Sequence, residues 1–173
     1  MEANMNPGQA FIHRSGAYLR GDYLPKIRLS VEKLSEDDLW WRPNPASNSI
    51  GNLILHLAGN VRQWIVTGIG GAPDERRRDE EFQADGGYSG PKLLAHLEKA
   101  LEEVGEVLAG LDPEDLLETR TIQGIDTNVL DAVYHVVEHF STHTGQIVYL
   151  TKLRTGQDLG FWEIRDGKAI PRW

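Results

Sequence analysis

Apolar residues recur every three to four positions along four long stretches of the sequence, and this periodicity restricts the chain to a helical fold. Capping residues, prolines and glycines bound the stretches, which cover residues 9–34, 49–68, 91–111 and 128–155. Pro25 falls inside the first stretch and predicts a kink there, because proline lacks an amide hydrogen. Four amphipathic helices in 173 residues predict one all-α domain, residues 1–173, folded as a four-helix bundle.

The connections between the predicted helices are polar, or rich in glycine and proline. Residues 69–89 and 112–127 are longer than a tight antiparallel connection requires, so we expect one long crossover. Three consecutive arginines, residues 76–78, stand among five acidic residues in the first connection, and this mixture favours a solvated charged loop. Residues 158–173 are expected to pack against the bundle without regular structure.

Composition narrows the possible functions. The formal net charge is −8, from 26 acidic and 18 basic residues, and an acidic chain repels phosphate backbones, so we expect no nucleic-acid partner. The chain contains no cysteine, which excludes disulfides, thiolate metal ligands and a cysteine nucleophile. We see no basic and apolar leader and no apolar run of about 20 residues. The sequence therefore predicts a cytoplasmic protein without a membrane partner.

The histidines carry the strongest chemical signal. Three of the six, His135, His139 and His143, follow one another at four-residue steps in the last predicted helix. Positions four apart lie about 40° apart around a helix and about 6 Å along it, so His139 and His143 can bind one metal ion. His135 is turned about 80° from His143, so a further ligand should come from elsewhere. The best candidate is His56, which lies among leucines in the second predicted helix.

Spacing alone leaves another interpretation open. Histidines in a core or on a surface are often satisfied by backbone groups or carboxylates, without any metal. Burial of an imidazole without a hydrogen-bond or metal partner costs free energy. Several inward-facing histidines therefore favour one shared explanation, such as a metal ion.

Three segments, taken in their order along the chain, carry a resemblance to a known family. They are SIGNLILHLAGNVRQWIVTGIGG, RRRDEEF and VVEHFSTHTGQIVYLTKLRTG. Together they resemble the DinB/YfiT-like superfamily, and the resemblance extends over nearly the whole chain as far as Gly156. It implies a metal-binding four-helix bundle with up-down-down-up topology.

The resemblance also implies a ligand set, one histidine on the second helix and two on the last, which here are His56, His139 and His143. His135 lies outside that triad and is expected in the pocket wall. Asn60 and Gln146 are expected beside the site, where their amides can orient a ligand or a bound water. Gly145 is expected to let a neighbouring helix approach the last one. No residue is assigned a catalytic role.

Three neutral imidazoles would leave a divalent ion its full charge and an open coordination position. We expect zinc or nickel, with iron as a further possibility, because imidazole suits all of them. The resembled superfamily includes thiol-dependent enzymes, so the first hypothesis is an S-transferase that acts on a small thiol. The alternatives are a metal-assisted hydrolase, a non-catalytic metal- or ligand-binding stress protein, and a structural bundle. Five tryptophans and a surplus of apolar helix faces predict a homodimer.

Overall fold

The computed structural model describes residues 5–172, and long helical segments occupy the four predicted stretches. The helices are α1 (Pro7–Tyr18), α2 (Leu24–Val31), α3 (Glu36–Trp40), α4 (Ile50–Val61), α5 (Arg78–Gln83), α6 (Gly90–Ala109) and α7 (Val129–Thr155). The strands are β1 (Thr119–Ile122), β2 (Ile125–Asn128), β3 (Trp162–Arg165) and β4 (Lys168–Pro171). A 3₁₀ turn, Pro113–Leu117, precedes β1.

Two of the long helices contain a widened, π-helical turn. Leu19–Tyr23 joins α1 to α2, and Arg62–Thr67 continues α4. In the first of these turns the amide of Leu24 donates to the carbonyl of Leu19, five residues back. Pro25 follows immediately and needs no amide partner in the first turn of α2. A π-helical turn therefore stands just before the proline at which the sequence predicts a kink.

Polar caps set the helix ends. Ser49 and Asn52 form a reciprocal capping box at the start of α4, in which the side chain of each accepts the backbone amide of the other. The last helix is capped by Asn128, whose side chain accepts the amide of Asp131. Gly156 ends α7 with a φ of +65°, a conformation that glycine adopts without strain.

The all-α prediction is wrong in part, because two antiparallel hairpins accompany the helices within residues 5–172. In each hairpin the strands are joined by a two-residue turn with positive φ at both residues, Gln123–Gly124 in one and Asp166–Gly167 in the other. Such turns match the right-handed twist of the strands that they connect. The C-terminal tail, predicted to be irregular, therefore contains regular β-structure.

Helix α4 is the most deeply buried element, and it contacts α3, α5, α6 and α7. Its side chains are apolar around most of the circumference, as expected for a helix at the centre of a core. Helices α6 and α7 each bury one face against it, with Leu97 and Phe140 among the fully buried residues. None of the helices in residues 5–172 has the length and apolar character needed to cross a bilayer.

Candidate metal centre

Helix α4 supplies one wall of the site. His56 lies in the middle of this helix and is only 5% exposed. The capping box that starts the helix also fixes what covers it, because the Asn52 amide donates to the carbonyl oxygens of Glu81 and Ala84 at 2.9 and 2.7 Å. Helix α5 is thereby held across the first turns of α4, beside His56.

Helix α7 supplies the other wall. His139 and His143 are half-buried, and their rings lie 4.3 Å apart between centroids, nearly perpendicular to each other. The Nε2 atoms of His56 and His139 are 2.9 Å apart, and the His56 and His143 ring centroids are 5.2 Å apart. One ring nitrogen from each of the three histidines lies within 4.8 Å of the other two. The sequence-predicted trio is thus brought together across two helices.

The spacing of these atoms suits a single ion. Two nitrogens bound to one ion at about 2.1 Å lie roughly 3.0 to 3.4 Å apart, for angles between about 90° and 109°. His56 and His139 are already close to that separation. The remaining nitrogen needs a shift of at most about 1 to 2 Å, which small side-chain rotations provide.

Hydrogen bonds at the outer nitrogens indicate which atom each ring presents to the centre. The Nδ1 atom of His56 lies 3.0 Å from Glu81 Oε2, and the Nδ1 atom of His143 lies 2.7 Å from Gln146 Oε1. Both oxygens are acceptors, so each Nδ1 donates and each Nε2 keeps its lone pair. Arg76 Nη2 is also 3.1 Å from His56 Nδ1, and we interpret this as two donors that share one carboxylate oxygen.

The site favours uncharged imidazoles. Burial lowers the pKa of His139 to about 3, and repulsion from His143 and His56 adds to the effect. Burial also lowers the pKa values of His143 and His135, although the hydrogen bond that His143 donates to Gln146 opposes the shift at His143 and the charge of Glu138 opposes it at His135. These three rings are neutral near pH 7, which is the form that binds a metal. Three ring nitrogens converge from two helices, and the two on α7 belong to rings that burial keeps neutral, so the donor set fits a divalent ion.

The other predicted neighbours take different positions. His135 lies beside the trio, with its ring 4.1 Å from that of Trp64 and 5.4 Å from that of His139. Gln146 contacts the site through His143. Asn60 is 4% exposed, and its Oδ1 atom has no hydrogen-bond partner among the residues that the structure describes. The expectation for Gly145 is wrong within this chain, because a Cβ atom there would meet nothing within 4 Å.

Sequence reasoning missed an ion pair behind His56. Arg76, predicted to lie in a solvated loop, has a side chain only 5% exposed. Its Nε and Nη2 atoms donate to the two carboxylate oxygens of Glu81 at 2.7 and 2.8 Å. Arg77 and Arg78 are exposed, as predicted for the whole run. Nothing in the local sequence separates Arg76 from these two neighbours, so only the fold identifies it.

Opposing effects set the charge of Glu81. Burial acts to raise the pKa of its carboxyl group, but hydrogen bonds from Arg76 and His56 outweigh burial, so the pKa lies below its usual value. Arg76 and Glu81 also line a cleft of about 560 Å³, and the walls of that cleft include none of the three histidines. The cleft and the histidine trio are therefore lined by different residues.

The first β-hairpin reaches the same network. The side-chain amide of Gln123, at the hairpin tip, lies within 3.2 Å of polar atoms of Gln63, Trp64 and Arg76. Gln63 in turn accepts from Arg76 Nη1 at 2.9 Å. The hairpin tip is therefore tied to the segment that supports His56.

The fold and the trio define a class: a helical protein with an imidazole site that can hold a divalent ion. The chain belongs to the family described as "Protein of unknown function (DUF1572)", whose model matches residues 10–168. It is similar in fold to a DinB-like protein from Bacillus cereus, with a TM-score of 0.67 over 86% of this chain and 93% of that one. The DinB-like fold predicted from the motifs is confirmed by this structural likeness.

Sequence identity to the Bacillus cereus protein is 16%, so the likeness establishes the fold and leaves the reaction open. No match was found among curated proteins.

Proposed function

We propose that this protein is a metal-dependent enzyme in which His56, His139 and His143 hold one divalent ion. The observation that carries the proposal is the convergence of one ring nitrogen from each histidine within 4.8 Å. Two of the three rings have Nδ1 hydrogen-bonded to an acceptor, which leaves Nε2 free for a metal. Zinc or nickel is the favoured ion, and iron also suits an all-imidazole donor set.

The favoured reaction is transfer of a small thiol. When bound, an ion with three neutral ligands and an open position would lower the pKa of a thiol or a water placed there. The chain has no cysteine, so the thiol must come from the substrate. The resemblance to a superfamily that includes thiol-dependent enzymes supports the S-transferase over other uses of the same site.

A metal-assisted hydrolase is the second candidate, and Asn60 is the observation that favours it. Asn60 follows His56 by one turn of α4 and precedes Trp64 by one turn, and both of those rings contact α7 histidines. Its buried Oδ1 atom needs a hydrogen-bond donor, since an unsatisfied buried acceptor costs about 1–3 kcal/mol. A water molecule can donate to this oxygen, whereas a thiolate cannot.

One experiment distinguishes an enzyme from a binding protein, and activation of a thiol from activation of a water molecule. Protein purified without a metal-affinity tag is analysed for metal, then loaded with Co²⁺ and titrated with a small thiol. We expect one divalent ion per chain and a sulfur-to-metal charge-transfer band. His139→Ala should abolish the band, whereas His13→Ala, on the exposed side of α1, should leave it unchanged.

The outcomes have distinct meanings. Metal without any thiol-dependent band would contradict the S-transferase and favour water activation. A band without transfer to any of a panel of electrophiles would favour a non-catalytic binding protein. Absence of metal would contradict the metal site itself and leave a structural bundle.

We also propose that residues 1–173 form one four-helix bundle whose helices run up, down, down and up. Contacts between α4 and α7 support opposite directions for these two helices: His56 contacts His139, whereas Trp64, further along α4, contacts His135, earlier on α7.

Contacts with the first helix, α1 and α2, support the directions of α6 and α7. Gly90 at the start of α6 lies against Val31 at the end of α2, and α6 also packs on α1, so it runs back along the first helix. Arg154 near the end of α7 donates to Asp38, just beyond α2, at 2.8 Å, so α7 runs with the first helix. The connection of residues 68–89 is then the long crossover.

The expected homodimer is proposed on the exposed side of α7. Tyr134, Gly145 and Tyr149 project within about 60° of one another on this helix, and both tyrosines are more than half exposed. We propose that a second copy covers this face. A dimer in sedimentation at micromolar concentration is expected, and Gly145→Arg should convert it to monomer. A monomeric wild-type protein would contradict the dimer.

A further inference from the structure

The buried pair of Arg76 and Glu81 lies against the outer nitrogen of His56, on the side away from the trio. We propose that Glu81 is a positioning residue, which holds the proton of His56 on Nδ1 and aims Nε2 into the centre, and that Arg76 fixes Glu81 in place. The inference rests on the proposed metal site and assigns a role there to two residues that do not bind the metal.

The chemical requirement follows from the imidazole ring. A neutral imidazole carries one proton, on either nitrogen, and a nitrogen that carries the proton has no lone pair for a metal. The proton stays on the nitrogen that faces a hydrogen-bond acceptor, and the other nitrogen then keeps its lone pair. His56 can present Nε2 as a ligand only if Nδ1 donates elsewhere, and Glu81 Oε2, 3.0 Å away, is the acceptor.

Several hydrogen bonds fix the Glu81 residue in the interior, so its carboxylate is not a chance surface contact. Arg76 donates two hydrogen bonds to it, and the two side chains are only 5% and 10% exposed. The backbone oxygen of Glu81 accepts from Asn52, in the capping box of α4. Gln63 holds the other end of the Arg76 guanidinium and donates in turn to Asp74 at 2.6 Å.

Gly59 gives independent evidence that α4 is shaped around this carboxylate. A Cβ atom at this position would overlap Glu81 Oε1 and would also come within 3.1 Å of Arg76 Nε. The helix therefore carries no side chain at the point where the ion pair crosses it. This absence lets the carboxylate reach His56, one turn earlier on α4.

The charges of the pair cancel, and this distinguishes positioning from electrostatic attraction. Glu81 alone would add a negative charge beside the site and attract any cation. With Arg76 bound through both oxygens, the pair adds no net charge, and what remains is a fixed acceptor for one N–H group. Loss of this acceptor should leave the His56 ring wrongly oriented or wrongly protonated, and metal binding should therefore weaken.

The test uses two double variants that differ only in the acceptor. Arg76→Met/Glu81→Gln keeps an oxygen that can accept from His56 Nδ1, and Arg76→Met/Glu81→Leu removes it. Neither leaves a buried unpaired charge, which a single substitution would. Glu80→Ala is the matched control, since its side chain is 67% exposed and pairs with exposed Arg77.

Two readouts are measured on full-length protein. Competition with a chelator gives Zn²⁺ affinity, and nitrogen NMR of the metal-free protein shows which nitrogen of His56 carries the proton. We expect the Gln variant to keep the Nδ1 proton and an affinity close to wild type. The Leu variant should lose that preference and bind Zn²⁺ about 10- to 100-fold more weakly.

A Leu variant that keeps both the Nδ1 proton and the wild-type affinity would overturn the inference. A wild-type protein that binds no Zn²⁺ would overturn the proposed function instead, and the proton position in the two variants would then decide the role of Glu81 alone. A loss in the Glu80→Ala control equal to that of the Leu variant would also overturn it, because the effect would not depend on contact with His56.

Discussion

The two walls of the histidine site differ in how they are held. On α4, His56 is 5% exposed and is supported by a buried ion pair that is itself tied to the capping box and to a hairpin tip. On α7, His139 and His143 are half-buried, and the Nδ1 atom of His143 donates to Gln146, an exposed and uncharged side chain of the same helix. From these contacts we expect the α4 wall to be the more rigid of the two and the α7 wall to adjust more easily.

We expect the two walls to contribute differently to metal binding. A ligand set that is fixed on one side and adjustable on the other can close around ions of slightly different size. The atoms that must move by about 1 to 2 Å lie on the α7 side. Three experiments can break or sharpen this comparison, and they follow in order of decreasing expected effect.

The largest effect is expected for the ion pair of the α4 wall. Arg76→Ala should lower the free energy of unfolding by about 3–5 kcal/mol, because it leaves Glu81 buried without its partner. Arg77→Ala, one residue further on and 77% exposed, should change it by less than about 0.5 kcal/mol. Urea denaturation of the metal-free proteins measures both values. Equal effects would show that the α4 wall is no more rigid than an exposed loop.

The second largest effect is expected for the free energy of unfolding at acid pH, through His139 on the α7 wall. The pKa of His139 is lowered to about 3 in the folded state, against about 6.5 unfolded, so the unfolded chain binds the proton more readily. Above about pH 6.5 both states are neutral and His139 has no influence. Stability should then fall as pH decreases from about 6.5 towards 3, by roughly 1–2 kcal/mol between about pH 6.5 and pH 5.

Urea denaturation of metal-free protein across this range gives the slope. His139→Gln should make it shallower, and His13→Gln should not. An unchanged slope in the His139 variant would mean that the α7 wall admits water and relaxes on protonation.

The smallest effect is expected for the anchor of the α7 wall. Gln146→Ala removes the acceptor of His143 Nδ1, but water can replace an exposed side chain at little cost. Zn²⁺ affinity should fall by less than about 10-fold, a smaller loss than for removal of the buried acceptor on α4. Gln157→Ala, just past the end of α7, is the control. A loss as large as that on α4 would remove the distinction between the walls.

The two site histidines on α7 were predictable because helical geometry alone relates them. His139 and His143 lie one turn apart whatever packs around them, and His56 stands out as a polar residue in an otherwise apolar stretch. The resemblance to a known superfamily then joined residues that are 83 positions apart. No property of either segment alone predicts that the two helices meet.

The support behind His56 was not predictable from local sequence. Arg76 and Arg77 are chemically identical neighbours in one charged run, and only the path of the chain buries the first and exposes the second. The widened turn at Arg62–Thr67 was also missed, because α4 is apolar around most of its circumference and a shift of one residue leaves no clear mark in such a pattern. The C-terminal hairpin did carry a signal, the Asp166–Gly167 pair, which is typical of a two-residue turn.

The distances along the chain between site residues imply an order of assembly during synthesis. The contact of His56 with Glu81 spans 25 residues, whereas its contact with His139 spans 83. At roughly 5–20 residues per second, the α7 ligands leave the ribosome's active site about 3–12 s after Glu81. A nascent chain can therefore hold a single, correctly oriented imidazole for seconds, and capture of an ion must wait for the last helix.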